Sequence, residues 1–359
     1  MRYKLFLKLS LFAVFLLPIC VFIFNFLIDP FNWNGTNYLN LNKPHLSYDR
    51  FSKIGMSDNE EFEIINIGMS SSQKINPKII EEYRKKVAYN FAMTGSTPYE
   101  QKILLEYILK DHKLNTVLIA IDEFSYHNSP SSLLTRDFPI ERFERNFPLY
   151  LKYYFRPMMI RQSLKTILFN LKKQTQGHGI LEYHGMENWE LEKIAKIAMD
   201  YKNEIYKDVI SLGKKHKNNA GFFDNNLKVY EEMIDITIAS GVENVIVYFP
   251  PQHADKLRYQ KKYLNQYYNK MLEFKKKLLQ ISKSKTFDIK VYDLLFVNQI
   301  TDNSLYFWDT KHLKNKFDDM VIKSILEGCN DYICIELNKN NIDYIITETN
   351  ELVSDFIEK

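Results

Sequence analysis

Two short stretches of the sequence carry the side chains that serine chemistry requires. Gly68-Met69-Ser70 follows a short apolar run, and Asp309 stands three residues before His312 near the other end of the chain. A serine hydroxyl becomes a nucleophile when a histidine takes its proton and a carboxylate orients that histidine. Ser70 is therefore the candidate nucleophile, His312 the candidate base and Asp309 the residue that orients His312.

Each of these residues also has a plain structural explanation. Serine is frequent in turns and at helix N-termini, so Ser70 is open to a capping role, and Ser71 is the alternative nucleophile. Asp309 and His312 are also typical of a helix start, with Asp309 as the N-cap. The catalytic interpretation is favoured because these residues fall where the strand ends and helix-opening turns of a parallel sheet gather, at its carboxyl edge.

Further candidates fall at the same predicted edge. Gly95 follows the second predicted strand, Asp122 follows the third, and His253 follows the fourth after two prolines. Asp122 is expected to structure the pocket rather than to react. His253 either touches substrate or lies in a surface loop. These residue types do not form a metal-ligand pattern, and the sequence implies neither a metal nor a cofactor.

The elements that must position these residues follow an α/β rhythm. Short apolar runs alternate with segments of helical periodicity, which predicts a mainly parallel sheet with helices on both faces. The predicted strands are Phe62–Ile67, Val87–Phe91, Val117–Ile121, Val245–Phe249 and Ile289–Leu294. The predicted helices are Pro77–Lys86, Tyr99–Lys110, Leu227–Ser240, Leu257–Ile281 and a last helix that ends near Leu326.

Two regions break this rhythm. Residues 139–226 show no strand pattern and predict a helical insertion, with a long amphipathic stretch at Trp189–Leu212 and an aromatic run at Tyr150–Phe155. That run either packs the insertion or contacts sugar rings. The tail, residues 327–359, is expected to form a small hairpin around Lys339-Asn340-Asn341. Cys329 and Cys334 stand five residues apart, so a small disulfide loop and two free thiols are both open.

The N-terminus carries the clearest compositional signal. Residues 1–4 are basic, and residues 5–28 are almost wholly apolar, with 20 residues from Leu9 to Ile28, about the length that a membrane-crossing helix needs. No cleavage pattern follows, so we expect an uncleaved transmembrane anchor with a cytoplasmic stub at 1–4, a linker at 29–60 and an extracytoplasmic remainder. The 359 residues include 48 basic and 44 acidic side chains, well mixed, which gives no reason to expect a nucleic-acid partner.

The order of these motifs resembles the SGNH/GDSL hydrolase superfamily. The resemblance rests on Gly68-Met69-Ser70 after the first strand, Gly95 after the second and Asp309-x-x-His312 late in the chain. It implies a flavodoxin-like three-layer sandwich at residues 61–326. The predicted anchor and the phrases Asn90-Phe91-Ala92 and Phe307-Trp308-Asp309-Thr310-Lys311-His312 resemble membrane-tethered members. Those members serve O-acetylation of alginate and other surface polysaccharides, or D-alanylation of teichoic acid.

The resemblance implies a serine acyltransferase or esterase acting on O-acyl, most readily O-acetyl, groups of a cell-envelope polysaccharide. The implied oxyanion donors are the backbone N–H groups of Ser70 and Gly95. The implied setting is a single-pass inner-membrane protein with an extracytoplasmic, periplasmic catalytic domain beside a membrane-embedded acyl-donor protein. The superfamily also has an asparagine donor after the third strand, where this chain has Asp122-Glu123. The alternatives are an inactive accessory protein that holds a glycan or a membrane partner, and a cytosolic lipase-like enzyme.

Overall fold

A computed structural model describes most of the chain in two compact units. The described residues are 2–35, 37–43, 48–122, 125, 134, 138–146, 148, 151–172, 205–211, 223–307, 309, 312, 313, 315–329 and 332–355. The first unit comprises Met1–Glu61 and Asp137–Leu181, and the second comprises Phe62–Arg136 and Glu182–Lys359.

The second unit has an α/β order of elements. The strands are β1 (Ile64–Ile67), β2 (Ala88–Asn90), β3 (Thr116–Ala120), β4 (Asn244–Phe249), β5 (Ile289–Asp293) and β6 (Ile335–Glu336). The helices are α1 (Arg2–Ile28), α2 (Asp49–Asn59), α3 (Pro77–Arg84), α4 (Pro98–Asp111), α5 (Ile140–Phe143), α6 (Pro157–Leu171), α7 (Phe223–Ala239), α8 (Ala254–Tyr263), α9 (Asn265–Ser284), α10 (Asn315–Leu326) and α11 (Ile342–Asp355). Of these helices, α1, α2, α5 and α6 belong to the first unit.

The second unit is built on a six-stranded sheet in the order β2-β1-β3-β4-β5-β6. The first five strands are parallel, and β6 pairs antiparallel with β5. The predicted mainly parallel α/β sheet is therefore confirmed. The order 2-1-3-4-5 is that of flavodoxin-like sheets, which bind their ligands between β1 and β3, where the chain reverses its direction of winding.

Both faces of this sheet are covered. On one face, residues such as Leu118 and Ile246 pack in a core with Ile80 of α3 and Ile322 of α10. On the other face, residues such as Val117 and Val247 are equally buried. A parallel sheet buried on both faces explains why its strands are continuous apolar runs.

The first unit has an aromatic core of its own. It is formed mainly by Phe31, Trp33, Phe51, Tyr153 and Tyr154. The Trp33 indole donates to the Phe51 carbonyl at 2.7 Å, and this hydrogen bond connects the segment that follows α1 to α2. Residues 29–60, predicted as a linker, thus include a helix and several core residues.

The membrane anchor predicted at residues 5–28 lacks structural support. Among the helices that the structure describes, none has the length and apolarity needed to cross a membrane.

The described part of the insertion predicted at residues 139–226 is largely helical, and residues 139–172 belong to the first unit. Most of the amphipathic stretch Trp189–Leu212, and Tyr150, lie outside the described residues.

Two local predictions are wrong. The helix predicted at Leu257–Ile281 is two helices, because Leu264 leaves helical geometry between α8 and α9. The hairpin predicted around Lys339-Asn340-Asn341 is a turn that leads from β6 into α11. The Asn338 side chain accepts from the backbone N–H groups of Asn340 and Asn341, which closes the turn and starts a helix instead of a strand.

Candidate active site

The turn that follows β1 places Ser70 at the carboxyl edge of the sheet. Gly68 is the residue that lets this turn form, because a Cβ there would lie 2.4 Å from Ser72 Oγ and 2.6 Å from Ala120 Cβ. Residues 70–74 then form turns, and α3 begins only at Pro77, capped by the Asn76 side chain. Ser70 therefore precedes the helix by a whole turn segment and does not lie at a helix N-terminus.

Ser70, His312 and Asp309 form a continuous hydrogen-bonded chain. His312 Nε2 lies 2.9 Å from Ser70 Oγ, and His312 Nδ1 lies 2.6 Å from Asp309 Oδ2. The second Asp309 oxygen accepts from the His312 backbone N–H at 2.8 Å. Because the carboxylate accepts at Nδ1, that nitrogen carries the proton and Nε2 is left to accept from the serine hydroxyl. The imidazole is thus oriented as a base toward Ser70.

His312 is held in place by its burial and by an isolated β-bridge. His312 is 5 % exposed, while Ser70 is half-buried and open to a reactant. An antiparallel bridge between Phe307 and Leu313 closes the segment that carries Asp309 and His312. The Asp309 geometry excludes the simple alternative of a helix cap, because α10 begins only at Asn315 and both carboxylate oxygens bind His312.

A buried polar network supports the serine turn from below. Asn90 Nδ2 lies within 3.0 Å of the carbonyls of Ser72, Gln73 and Ile75, and Asn66 Nδ2 lies 3.2 Å from the Ser72 carbonyl. The Asn66 and Asn90 side chains also bind each other at 3.0 Å. The three carbonyl groups lie between the end of β1 and the start of α3, outside both elements. The asparagine side chains therefore donate to backbone acceptors that no strand or helix pairs.

The network extends across the sheet to β4. The Tyr248 hydroxyl donates to Asn66 Oδ1 at 2.8 Å, and burial raises the pKa of Tyr248 well above its usual range, so the phenol remains a donor. Sequence reasoning gave no supporting role to Asn66, Asn90 or Tyr248, although Asn90 is part of a phrase that carries the resemblance. The available signal was asparagine inside two otherwise apolar strands, a residue that strands disfavour.

Asp122 braces the serine turn. Its Oδ2 accepts from the Met69 backbone N–H at 3.2 Å, and the residue is 7 % exposed. The sequence predicts that Asp122 structures the pocket, and this contact joins it to the residue before Ser70. A carboxyl group donates a hydrogen bond only when it is protonated, and the Asp122 oxygen that binds Met69 acts as an acceptor.

Gly95 lies in a turn that is attached to the serine turn. The Gly68 carbonyl accepts from the Met93 backbone N–H at 3.0 Å and from the Ser96 hydroxyl at 3.2 Å, on either side of Gly95. Gly95 has φ +58°, and a Cβ built on it would meet open space. The left-handed backbone and the open side explain why glycine suits this position.

His253 belongs to the fold around the site. Its Nδ1 accepts from the Asp255 backbone N–H at 3.1 Å and caps α8, and its ring packs edge-on against Phe307 at 5.3 Å. Burial lowers the pKa of His253 to about 4, against the opposing charges of Asp255 and Asp302. It is 2 % exposed, so the surface-loop alternative is wrong, and the structure shows a capping role for it.

Comparisons with known proteins add little beyond this geometry. No protein-family model matches the chain. No curated protein matches it. Among solved structures, the chain is similar to a Streptococcus pneumonia protein proposed to be a platelet activating factor, with 12% identity and a TM-score of 0.38, over 78% of this chain and 90% of that one. It is also similar to a proposed acylhydrolase from Bacteroides fragilis, with 10% identity and a TM-score of 0.34, over 74% of this chain and 86% of that one. The function is therefore argued from the site.

Proposed function

We propose that this protein is a serine-dependent acyl-transfer enzyme that removes or moves an acyl group through an ester on Ser70. The observation that carries the proposal is the 2.9 Å contact between Ser70 Oγ and His312 Nε2, with Asp309 bound to the far ring nitrogen. A nucleophile, a base and an orienting carboxylate in that order define the serine-hydrolase arrangement.

The reaction follows from the geometry. Ser70 Oγ attacks the acyl carbonyl carbon, and its proton moves to His312 Nε2 as the new C–O bond forms. Asp309 stabilises the resulting imidazolium. The tetrahedral intermediate collapses when the bond to the leaving alcohol breaks and His312 returns its proton to that oxygen. Water or a sugar hydroxyl then attacks the Ser70 ester by the same steps in reverse, with His312 as base.

The oxyanion is assigned to backbone donors. The N–H groups of Ser70 and Gly95 are proposed for this role, since Gly95 lies in the turn bound to Gly68 and has open space beside it. Each such donor is typically worth about 3 kcal/mol in the transition state. Because Asp122 is engaged with Met69, no side-chain donor from the end of β3 is included.

The substrate class and the setting rest on the sequence resemblance. The proposed substrate is an O-acyl, most readily an O-acetyl, group of a cell-envelope polysaccharide, with a membrane-embedded acyl-donor protein as partner. An extracytoplasmic location at the cell membrane is supported by the apolar residues 5–28 after a basic start and by the Cys329–Cys334 disulfide. Disulfides persist in oxidising compartments. A reporter fused to the C-terminus tests this topology, and reporter activity in the cytoplasm would refute it.

The test of the chemistry is covalent labelling of the full-length protein with a fluorophosphonate probe. We expect wild type to be labelled with loss of fluoride, and Ser70→Ala and His312→Ala to lose at least about 1000-fold in rate. Ser71→Ala is the matched control, because it removes the neighbouring hydroxyl and should keep the labelling. Labelling that survives in Ser70→Ala would refute the nucleophile assignment.

The alternative of an inactive accessory protein has one observation in its favour. Asp122 stands where the resembled superfamily places an asparagine donor. If this departure abolishes activity, folded wild type will neither be labelled nor hydrolyse p-nitrophenyl acetate, whereas the enzyme proposal predicts both. For an active protein, adding an oligosaccharide acceptor and searching for its acetylated product by mass spectrometry distinguishes transfer from hydrolysis.

A further inference from the structure

Lys74 joins the two segments that carry the catalytic residues. It lies in the turn segment that begins at Ser70, is 5 % exposed, and its Nζ donates to the Leu313 carbonyl at 3.0 Å. Leu313 directly follows His312 and forms the bridge with Phe307. One side chain therefore connects the turn of the nucleophile to the segment of the base, which lies 239 residues away in the sequence.

The position costs stability. Burial lowers the pKa of Lys74 to about 8, while the carboxyl groups of Asp318 and Asp309 act in the opposite direction. Asp318 lies on α10 and is itself buried, which raises its pKa well above the usual range although Lys74 opposes the change. Removing an ammonium from water is unfavourable, and an apolar side chain of similar length would avoid that desolvation. In this position the buried ammonium makes the hydrogen bond to the Leu313 carbonyl.

Two carboxyl groups interact electrostatically with Lys74: Asp309, in the segment that carries the base, and Asp318 of α10. Both favour the charged ammonium, which is the form that donates to the Leu313 carbonyl. A hydrogen bond from a charged donor is stronger than one from a neutral donor, so the charge strengthens the link between the two segments.

We propose that Lys74 is a positioning residue of the active site, which locks the His312 segment onto the Ser70 turn through the Leu313 carbonyl. The inference rests on the proposed function, since it concerns the same Ser70, His312 and Asp309. Lys74 acts through the Leu313 carbonyl, which adjoins His312 in the chain.

The test compares Lys74→Met, Lys74→Gln and Lys74→Arg in the full-length protein. Methionine removes both the donor and the charge, glutamine keeps a donor without charge, and arginine keeps both. The measurements are kcat and KM for p-nitrophenyl acetate hydrolysis from pH 5 to pH 9, with circular dichroism to show folding. We expect Lys74→Met to lose about 10- to 100-fold in kcat with little change in KM, as expected for a misplaced catalytic group.

The pattern of rescue separates this role from a merely structural one. The value of kcat should fall most in Lys74→Met, fall less in Lys74→Gln, which keeps a donor, and return toward wild type in Lys74→Arg, with little change in KM. Lys275→Met is the matched control. Lys275 is a second buried lysine, 2 % exposed, that is bound to Asp293, and its loss should lower stability without lowering kcat of the folded protein.

The outcomes are distinguishable from those of the parent proposal. If wild type hydrolyses the ester and Ser70→Ala does not, but Lys74→Met and Lys74→Gln keep the wild-type kcat, the Lys74 inference fails and the proposed function stands. A wild type without labelling or hydrolysis overturns both. If Lys74→Met does not fold, the difference in kcat between Lys74→Gln and Lys74→Arg decides.

Discussion

Replacing Asp309 by asparagine is the sharpest test of how the base is oriented. Both Asp309 oxygens accept from His312, one from the ring at 2.6 Å and one from the backbone N–H at 2.8 Å. Asparagine offers one oxygen and one NH₂ group, so it cannot satisfy both donors. If its oxygen keeps the backbone N–H, its NH₂ meets Nδ1, the ring must carry its proton on Nε2, and Ser70 then faces a donor instead of a base. If its oxygen instead accepts from Nδ1–H, its NH₂ group faces the His312 backbone N–H, and two donors then oppose each other.

The size of the effect follows from these two orientations. The first preserves the fold and removes the base, and the same change in serine proteases costs about 10⁴ in kcat. The second leaves a backbone N–H unpaired, which costs about 1–3 kcal/mol. We therefore expect Asp309→Asn to lose about 10³- to 10⁴-fold in kcat, equivalent to about 4–5.5 kcal/mol of transition-state stabilisation, with little loss of stability.

The assay is p-nitrophenyl acetate hydrolysis, measured with thermal denaturation of the same preparations. Asp302→Asn serves as the control, because that carboxylate precedes the segment, is about half exposed and contacts Arg258 rather than His312. A folded Asp309→Asn protein that retains kcat within tenfold of wild type would refute the assignment of Asp309, and with it the inferred tautomer of His312.

Two further predictions concern the supports of the site. Gly68→Ala would place a Cβ 2.4 Å from Ser72 Oγ, so the serine turn must move. We expect this variant to lose about 1–3 kcal/mol in stability and to be labelled more slowly by the probe. Gly241→Ala is the control: Gly241 has φ +76° and open space around a Cβ, so the substitution should cause backbone strain only and leave labelling unchanged. The pKa of His253 is about 4 in the folded protein against an ordinary value of 6.5, so the unfolded chain binds a proton first as pH falls. Stability should therefore fall by up to about 3 kcal/mol between roughly pH 6.5 and pH 4. His253→Asn keeps a cap acceptor and should flatten that part of the curve in denaturant titrations; an unchanged slope would contradict the assigned burial of His253.

The strands and the meeting of Ser70 with His312 could be predicted because their signals are local. An apolar run of four to six residues that ends in a polar or glycine turn identifies a buried parallel strand, and parallel strands end at one edge. That Ser70 and His312 meet at this edge could therefore be predicted without any interatomic distance. In the structure Asp122 lies two residues after β3, whereas Gly95 lies five residues after β2, in a turn bound to the Gly68 carbonyl.

What failed or was missed depends on contacts between distant residues. Nothing near Lys74 in the sequence indicates that its side chain reaches Leu313. The break at Leu264 and the turn at Asn338 are single-residue departures within patterns that periodicity alone continues. For His253 the sequence leaves a substrate contact and a surface loop both open, and packing against Phe307 is the contact that accompanies its burial.

The serine turn is supported by side chains and not by a helix N-terminus. A strand–turn–helix arrangement would let a helix N-terminus hold the site, an effect of about 0.3–1 kcal/mol that fades within one turn. Here α3 starts at Pro77, too late for that. The turn carbonyls of Ser72, Gln73 and Ile75 instead meet the buried Asn90 amide, and each buried carbonyl left unpaired would cost about 1–3 kcal/mol. Preorganisation of Ser70 therefore lies in side chains of β1, β2 and β4, and substitutions at Asn90 should disturb it more than changes to the first turn of α3.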